Sequence, residues 1–300
     1  MEQAGIAIIG AGALGCVLAR RLSACGYRIE AILSRSDAKA RALATEVEAL
    51  VASDVPGDLP ASVRLVFCCV PDDAVGIVAR ALSPVRPDWS GTVVAHTSGV
   101  LPAAALYNLG EQGAALLSFH PLQTFTTASP PDVFEGIAIA LEGDAGGIAV
   151  GRRLAAALGA QPITLAAEAK ARYHVAASMA SNFFVTLMAL VGEVLASIEI
   201  GDREAGALMR PLVEGTWRNL ARQLPEEALT GPIARGDYHT VATHLDALAV
   251  HLPHLVPVYA ALATEAVRVA VRGGRLTPDE AQQVLDVLYA GLKPDRDLLF

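Results

Sequence analysis

Between residues 5 and 165, short apolar runs alternate with stretches whose apolar positions recur every three or four residues. The runs at 5–9, 28–33, 64–70, 92–95, 115–119, 137–141 and 162–165 read as strands, with helices between several of them. This βαβ alternation predicts an α/β fold, a doubly wound and mostly parallel Rossmann sheet whose ligands lie beyond the carboxyl ends of its strands. From residue 166 the strand pattern stops, and helices are expected near 167–199, 203–222, 238–251, 255–273 and 278–290. The expected division is a sheet domain over 1–165 and a smaller all-helical domain over 166–300, the latter for substrate binding and dimerisation. Residues 53–60 and 83–87 are turn-forming stretches.

The first helix of the second half is apolar on most faces, and 173–198 approaches the length and composition of a membrane span. Ser178, Ser181, Asn182, Thr186 and Glu193 recur within it, which favours a buried helix of a soluble protein over a lipid-facing one. Such a helix needs cover on nearly all sides. A homodimer packed around 167–199 is therefore expected, with no membrane partner.

The 300-residue chain is 53% hydrophobic, enough for two sizeable cores. A net charge of −8 and scattered Lys and Arg exclude the basic stripe that nucleic acid requires. Cys16, Cys25, Cys68 and Cys69 match neither a disulfide framework nor a zinc pattern. The N-terminus runs directly into a strand pattern without a basic start and long apolar stretch, so a cytoplasmic location is expected.

The first strand is followed at once by GAGALG at 10–15 and then by a helical pattern. In that setting Gly10 permits a tight turn, Gly12 lets backbone N–H groups approach a pyrophosphate, and Gly15 lets the helix pack on the strand, with Ala13 and Leu14 between them. At the end of the second strand, where NAD enzymes place an acid for the ribose 2′-hydroxyl, stands Ser34-Arg35-Ser36. A guanidinium flanked by two hydroxyls suits a 2′-phosphate, so NADP (NADPH) is the expected cofactor. The alternative is that Arg35 is a solvated charge and Glu30 the ribose ligand. Val70, Pro71 and Thr97 are expected to line the same cleft, while Asp72 and Asp73 are candidates for capping the next helix.

Three polar clusters carry candidate chemistry. HTSG at 96–99 and the segment beginning Ser118-Phe119-His120-Pro121 both end strands, where ligands belong. The third is Lys170 with Tyr173, His174, Ser178, Ser181 and Asn182, of which 170, 174, 178 and 182 share a slowly drifting helix face. A lysine facing a cleft beside apolar groups has its pKa lowered and can donate a proton to a carbonyl oxygen, the role expected of Lys170. The catalytic set is thus Lys170, His174, His120 and Ser98, and the substrate contacts are Ser98, Gly99, His120, Asn182 and Arg235. No metal is expected, since no local histidine spacing supports one. Arg235, in a polar loop at 228–237, is read either as an anchor for a substrate carboxylate or as the partner of Asp237.

GAGALG (10–15), VPDD (70–73), HTSG (96–99), FHPLQTF (119–125), KARYHVAASMASN (170–182) and LTGPIARGD (229–237) together resemble a family of proposed NADP-dependent oxidoreductases. That family has a Rossmann-like N-terminal domain and a C-terminal domain of unknown function. It looks like a branch of the 6-phosphogluconate dehydrogenase-like superfamily, which includes β-hydroxyacid dehydrogenases, ketopantoate reductases, pyrroline carboxylate reductases and prephenate dehydrogenases. The resemblance implies a proton-transfer lysine opening the long helix, matched by Lys170. His174 stands where those enzymes have asparagine four residues later, and His120-Pro121 looks like the His-Pro of prephenate dehydrogenases. The leading expectation is reduction of the C=O of a small 2-oxo or 3-oxo acid. Imine reduction of the pyrroline carboxylate reductase type, or a non-catalytic NADP sensor, are the alternatives.

Overall fold

The computed structural model describes residues 5–291. They fall into two compact units divided between Phe183 and Phe184. The expected boundary at 165/166 lies earlier, because the first turns of the long helix pack with the sheet.

The first unit is built on eight strands: β1 (Gly5–Ile9), β2 (Ile29–Leu33), β3 (Val51–Ser53), β4 (Val63–Cys68), β5 (Val93–His96), β6 (Ala115–Pro121), β7 (Ala138–Gly143) and β8 (Gln161–Thr164). Their order is β3-β2-β1-β4-β5-β6-β7-β8; β1 to β6 are parallel, and β7 and β8 run antiparallel to them. β1 and β2 are buried at every position, so they lose the in-and-out alternation of a half-exposed strand and read as unbroken apolar runs.

Helices α1 (Ala13–Ala24), α2 (Asp37–Glu46), α3 (Asp72–Leu82), α4 (Tyr107–Gly110), α5 (Ala145–Ala157) and α6 (Lys170–Ala180) complete this unit. Two cores result. Ile8, Phe67, Ala95 and Phe119 meet α1, α2 and α5 on one face, and Ile9, Val66, Cys68 and Val94 meet α3 and α4 on the other. The strand order reverses between β1 and β4, which opens a cleft beyond their carboxyl ends.

The second unit contains α7 (Asn182–Ala196, entering at Phe184), α8 (Asp202–Leu220), α9 (Pro225–Ala228), α10 (Tyr238–His251), α11 (Val256–Arg272) and α12 (Pro278–Gly291). Its core joins α10, α11 and α12 through Val241, Leu245, Ala260, Val267, Val284 and Leu288.

One expectation needs correction. The helix expected over 167–199 is interrupted at Ser181, where φ −117° and ψ −71° end α6 before α7 begins. No residue of α7 is buried, and Phe183 is 62% exposed. The stretches 167–196 and 253–272 are both long and apolar enough to cross a membrane by length and composition. The second contributes six buried residues to its unit, whereas α7 contributes none.

Candidate functional site

The cleft beyond β1 and β4 holds a cavity of about 490 Å³. Its floor is the glycine turn. Gly10 has φ +106°, and a Cβ there would lie 2.2 Å from the carbonyl oxygen of Cys69, while one on Gly15 would lie 2.0 Å from the carbonyl oxygen of Gly10. These two glycines permit the contact of β1, β4 and α1. Gly12 differs: it is the residue before α1, and a Cβ on it would meet nothing within 4 Å. The space above Gly12 therefore lies open at a helix N-terminus, where free backbone N–H groups and the helix dipole favour a phosphate. That is the cradle a dinucleotide pyrophosphate needs.

Gly10, Gly12, Ser34, Arg35, Ser36, Val70 and Pro71 all line the cavity, whereas Ala13, Leu14 and Gly15 form the first turn of α1 outside its walls. Thr97 is also outside them and hydrogen-bonds the Cys69 thiol, whose pKa burial pushes up. Ser36 caps α2, its hydroxyl accepting from the Lys39 N–H at 3.4 Å. That cap puts Lys39 in the first turn of α2, on the cavity wall beside Arg35. Sequence reading missed Lys39; the signal was its place three residues after a capping serine. Glu30 lies elsewhere. Its side chain is buried lower in β2, hydrogen-bonded by Ser62 and paired with Arg28, which removes it as a ribose ligand. Asp72 and Asp73 occupy the first turn of α3 without a side-chain capping bond.

A second group of side chains converges where β5, β6 and α6 meet. Lys170 is 1% exposed, and its Nζ donates to Ser118 Oγ at 2.6 Å and to the Ser98 carbonyl at 3.2 Å. Burial lowers its pKa, with the charges of Glu142 and Asp72 opposing. Lys170 thereby ties the HTSG segment to β6. Ser98 Oγ accepts from the Val100 and Leu101 N–H groups at 3.2 and 3.0 Å, closing the turn after β5.

His96 is fully buried: its Nδ1 accepts from the Ser98 N–H at 3.2 Å and its Nε2 lies 3.0 Å from the Pro102 carbonyl. Two such partners fix an Nε2–H tautomer, and burial drives its pKa down to about 4. It is a neutral brace for the loop.

His120 and Tyr173 stand at the half-buried edge of this group. His120 Nδ1 lies 3.0 Å from the Tyr173 hydroxyl, and the rings meet edge-on at 88°. Burial first, then Lys170 and His174, lower the His120 pKa to about 4, while burial raises Tyr173 to about 12. A Cβ on Gly99 would lie 2.4 Å from His174 Cδ2 and 2.8 Å from His120 Nε2, so glycine is what lets both imidazoles close over the HTSG segment. On α6, Lys170 is buried and Tyr173, His174, Ala177 and Ser178 are half-buried, the face expected from helical spacing.

Asn182 opens α7 and is exposed. Arg235 belongs to the second unit and is exposed; Asp237 caps α10 through Thr240, its two oxygens accepting from the Thr240 N–H at 3.0 Å and hydroxyl at 2.7 Å.

Residues 2–121 match the model of a Rossmann-like domain, and residues 137–266 match a domain of unknown function, DUF2520. The two matches lie one after the other along the chain, the first on the sheet and the second running from β7 into the helical unit. Among solved structures similar to this chain is a "putative NADP oxidoreductase" from Bacteroides fragilis, 26% identical over 89% of this chain and 99% of that one, with a TM-score of 0.74. Protein TM1727 from Thermotoga maritima is also 26% identical, over 90% and 100% of the two chains, with a TM-score of 0.70. A reductive aminase from Aspergillus terreus, solved with NADPH and ethyl levulinate, shares the fold at 19% identity over 94% and 98%, with a TM-score of 0.66. No curated protein matches the chain.

Proposed function

We propose that this protein is an NADP-dependent oxidoreductase that reduces the C=O of a small 2-oxo or 3-oxo acid. The observation that carries the cofactor choice is the pairing of Arg35 and Lys39 on the wall of the glycine-floored cavity, with Glu30 sequestered elsewhere. Two cations suit a 2′-phosphate, and the open space at Gly12 suits the pyrophosphate. The description of the B. fragilis protein as an NADP oxidoreductase supports the same reading. When bound, the reduced nicotinamide supplies a hydride.

The chain's own residues would orient the substrate carbonyl and stabilise charge on its oxygen. Lys170 provides the positive charge, and His120 provides a neutral imidazole beside the ring of His174. Convergence of Lys170, Ser118, His120, Tyr173 and His174 in one cluster favours an enzyme over a non-catalytic NADP sensor. A second reading, reduction of a C=N bond, draws support from the fold shared with the reductive aminase. The positive charge of Lys170 weighs against it, because a protonated imine would be repelled where an oxyanion would be stabilised.

The proposal extends to a homodimer formed around α7, the occupant of its exposed apolar face being a second copy of the chain. Phe184, Val185 and Leu187 on α7 are exposed, as are Leu212 and Trp217 on α8. The four free cysteines fit work in the cytoplasm. The test is turnover of 2-oxo acids, 3-oxo acids and cyclic imines by the protein with NADPH. Fast oxo-acid reduction supports the first reading, and imine reduction alone replaces it with the second.

A further inference from the structure

Lys170 is poorly placed to hand a proton to a substrate, since its side chain is 1% exposed and both observed Nζ bonds run to Ser118 and to the Ser98 carbonyl. The half-buried pair beside it is better placed. We infer that the Tyr173 hydroxyl, hydrogen-bonded to His120 Nδ1, gives the proton to the oxygen of the reduced substrate, and that Lys170 is a positioning residue that holds β6 and the turn after β5 together through Ser118 and the Ser98 carbonyl. This rests on the reductase reading above.

The geometry supplies three reasons. Tyr173 follows Lys170 by three residues on α6, so one helical turn presents the buried cation and the phenol on the same face. The hydroxyl reaches His120 Nδ1 at 3.0 Å, leaving the opposite edge of the imidazole against Gly99 and His174. Both members of the pair are half-buried at the end of β6, whereas His96 and Lys170 are enclosed.

The protonation states fit a loaded donor. Burial keeps the Tyr173 proton in place up to about 12. Burial and the charge of Lys170, followed by His174 and His96, keep His120 uncharged down to about 4, with Asp72 opposing. At neutral pH the pair therefore holds one phenolic O–H and one imidazole N–H. The substrate oxygen would gain the C=O π electrons when a bound dihydronicotinamide, itself oxidised to the nicotinamide cation, supplies hydride to the carbonyl carbon, and that oxygen would take the phenolic proton of Tyr173. The phenolate left behind would accept a hydrogen bond from the Nδ1–H of His120, which keeps its proton, and would then take a proton from water, releasing hydroxide.

The test uses full-length protein labelled with 3-fluorotyrosine and saturated with NADP⁺. The Tyr173 ¹⁹F resonance is identified by its loss in Tyr173→Phe, and its titration is followed in the parent and in His120→Leu, or His120→Gln where the leucine variant does not fold. Removing a hydrogen bond to the phenolate should raise the midpoint by about one pH unit. With the best oxo acid from the screen, Tyr173→Phe should lower kcat at least about 100-fold and leave NADPH affinity unchanged. An unmoved midpoint, or near-parental turnover by Tyr173→Phe, overturns the inference and leaves the reductase reading intact. Failure of the parent to bind NADPH overturns the reading itself.

Discussion

Gly10 and Gly12 sit two residues apart in the same turn, yet alanine should act on them in opposite ways. At Gly12 the backbone is extended, φ −83° and ψ −174°, which alanine adopts without strain, and the new Cβ meets no atom within 4 Å. Replacing glycine at such a position lowers the entropy of the unfolded chain and stabilises by about 0.4–1 kcal/mol. For a domain of this size that raises Tm by about 1–4 °C. The methyl group nevertheless enters the space assigned to the pyrophosphate, so NADPH affinity should fall at least about tenfold, or about 1.4 kcal/mol.

At Gly10, φ +106° strains any side chain, and the Cβ would press on the Cys69 backbone at 2.2 Å. Strain and overpacking together cost about 2–6 kcal/mol. Thermal melts of both variants, paired with calorimetric NADPH titration, separate the effects. Parental NADPH affinity in Gly12→Ala, or parental stability in Gly10→Ala, would refute the reasoning.

Lys170→Met should leave NADPH binding within a few-fold of the parent but abolish turnover, and the His120 titration, followed by NMR, should move up from about 4 once the neighbouring charge is gone. His96 and His120 both have folded-state pKa values near 4, below the ordinary 6.5. Between those values the unfolded chain binds more protons than the folded one, so stability should fall as pH drops from about 6.5 towards 4. For His96 alone the loss is about 3 kcal/mol, at about 1.4 kcal/mol per pH unit; urea unfolding of the parent and His96→Gln at pH 7 and pH 4.5 measures it, and an equal pH dependence in both would contradict it. Gly99→Ala should displace His120 and His174 and lower kcat while sparing NADPH affinity, because its Cβ meets side chains and not the cofactor cavity. Val185→Glu on the exposed face of α7 should convert a dimer to a monomer by sedimentation; a parent that is already monomeric at micromolar concentration would end the pairing proposal.

Strands fully buried in the sheet were legible because burial on both faces leaves a continuous apolar run, as in β1 and β2. β3 was not: its three half-buried residues have no pattern of their own and are a strand only through pairing with β2. The break at Ser181 was equally silent, lying in SMASN with neither proline nor glycine to mark it.

Within the site, the glycine turn and Arg35 were readable because strand-turn-helix context assigns them local geometry. Lys39 needed the position of the α2 cap, and the exclusion of Glu30 needed the depth of its side chain beside Ser62. The three histidines looked alike in sequence. Only tertiary packing separates His96, held between Ser98 and Pro102, from His120, which meets Tyr173 at the half-buried edge. Lys170 was found by its place at the start of α6, but its enclosure by Ser118 and the Ser98 carbonyl depends on strands distant in sequence.

The central claim is that the cavity takes NADP through Arg35 and Lys39. Calorimetric titration of the parent and of Arg35→Ala/Lys39→Ala with NADPH and NADH tests it most directly. The account predicts that the parent binds NADPH more tightly than NADH, and that the double variant loses this preference while its NADH affinity stays close to parental. Equal or tighter binding of NADH by the parent, or a preference for NADPH that survives both substitutions, would contradict it.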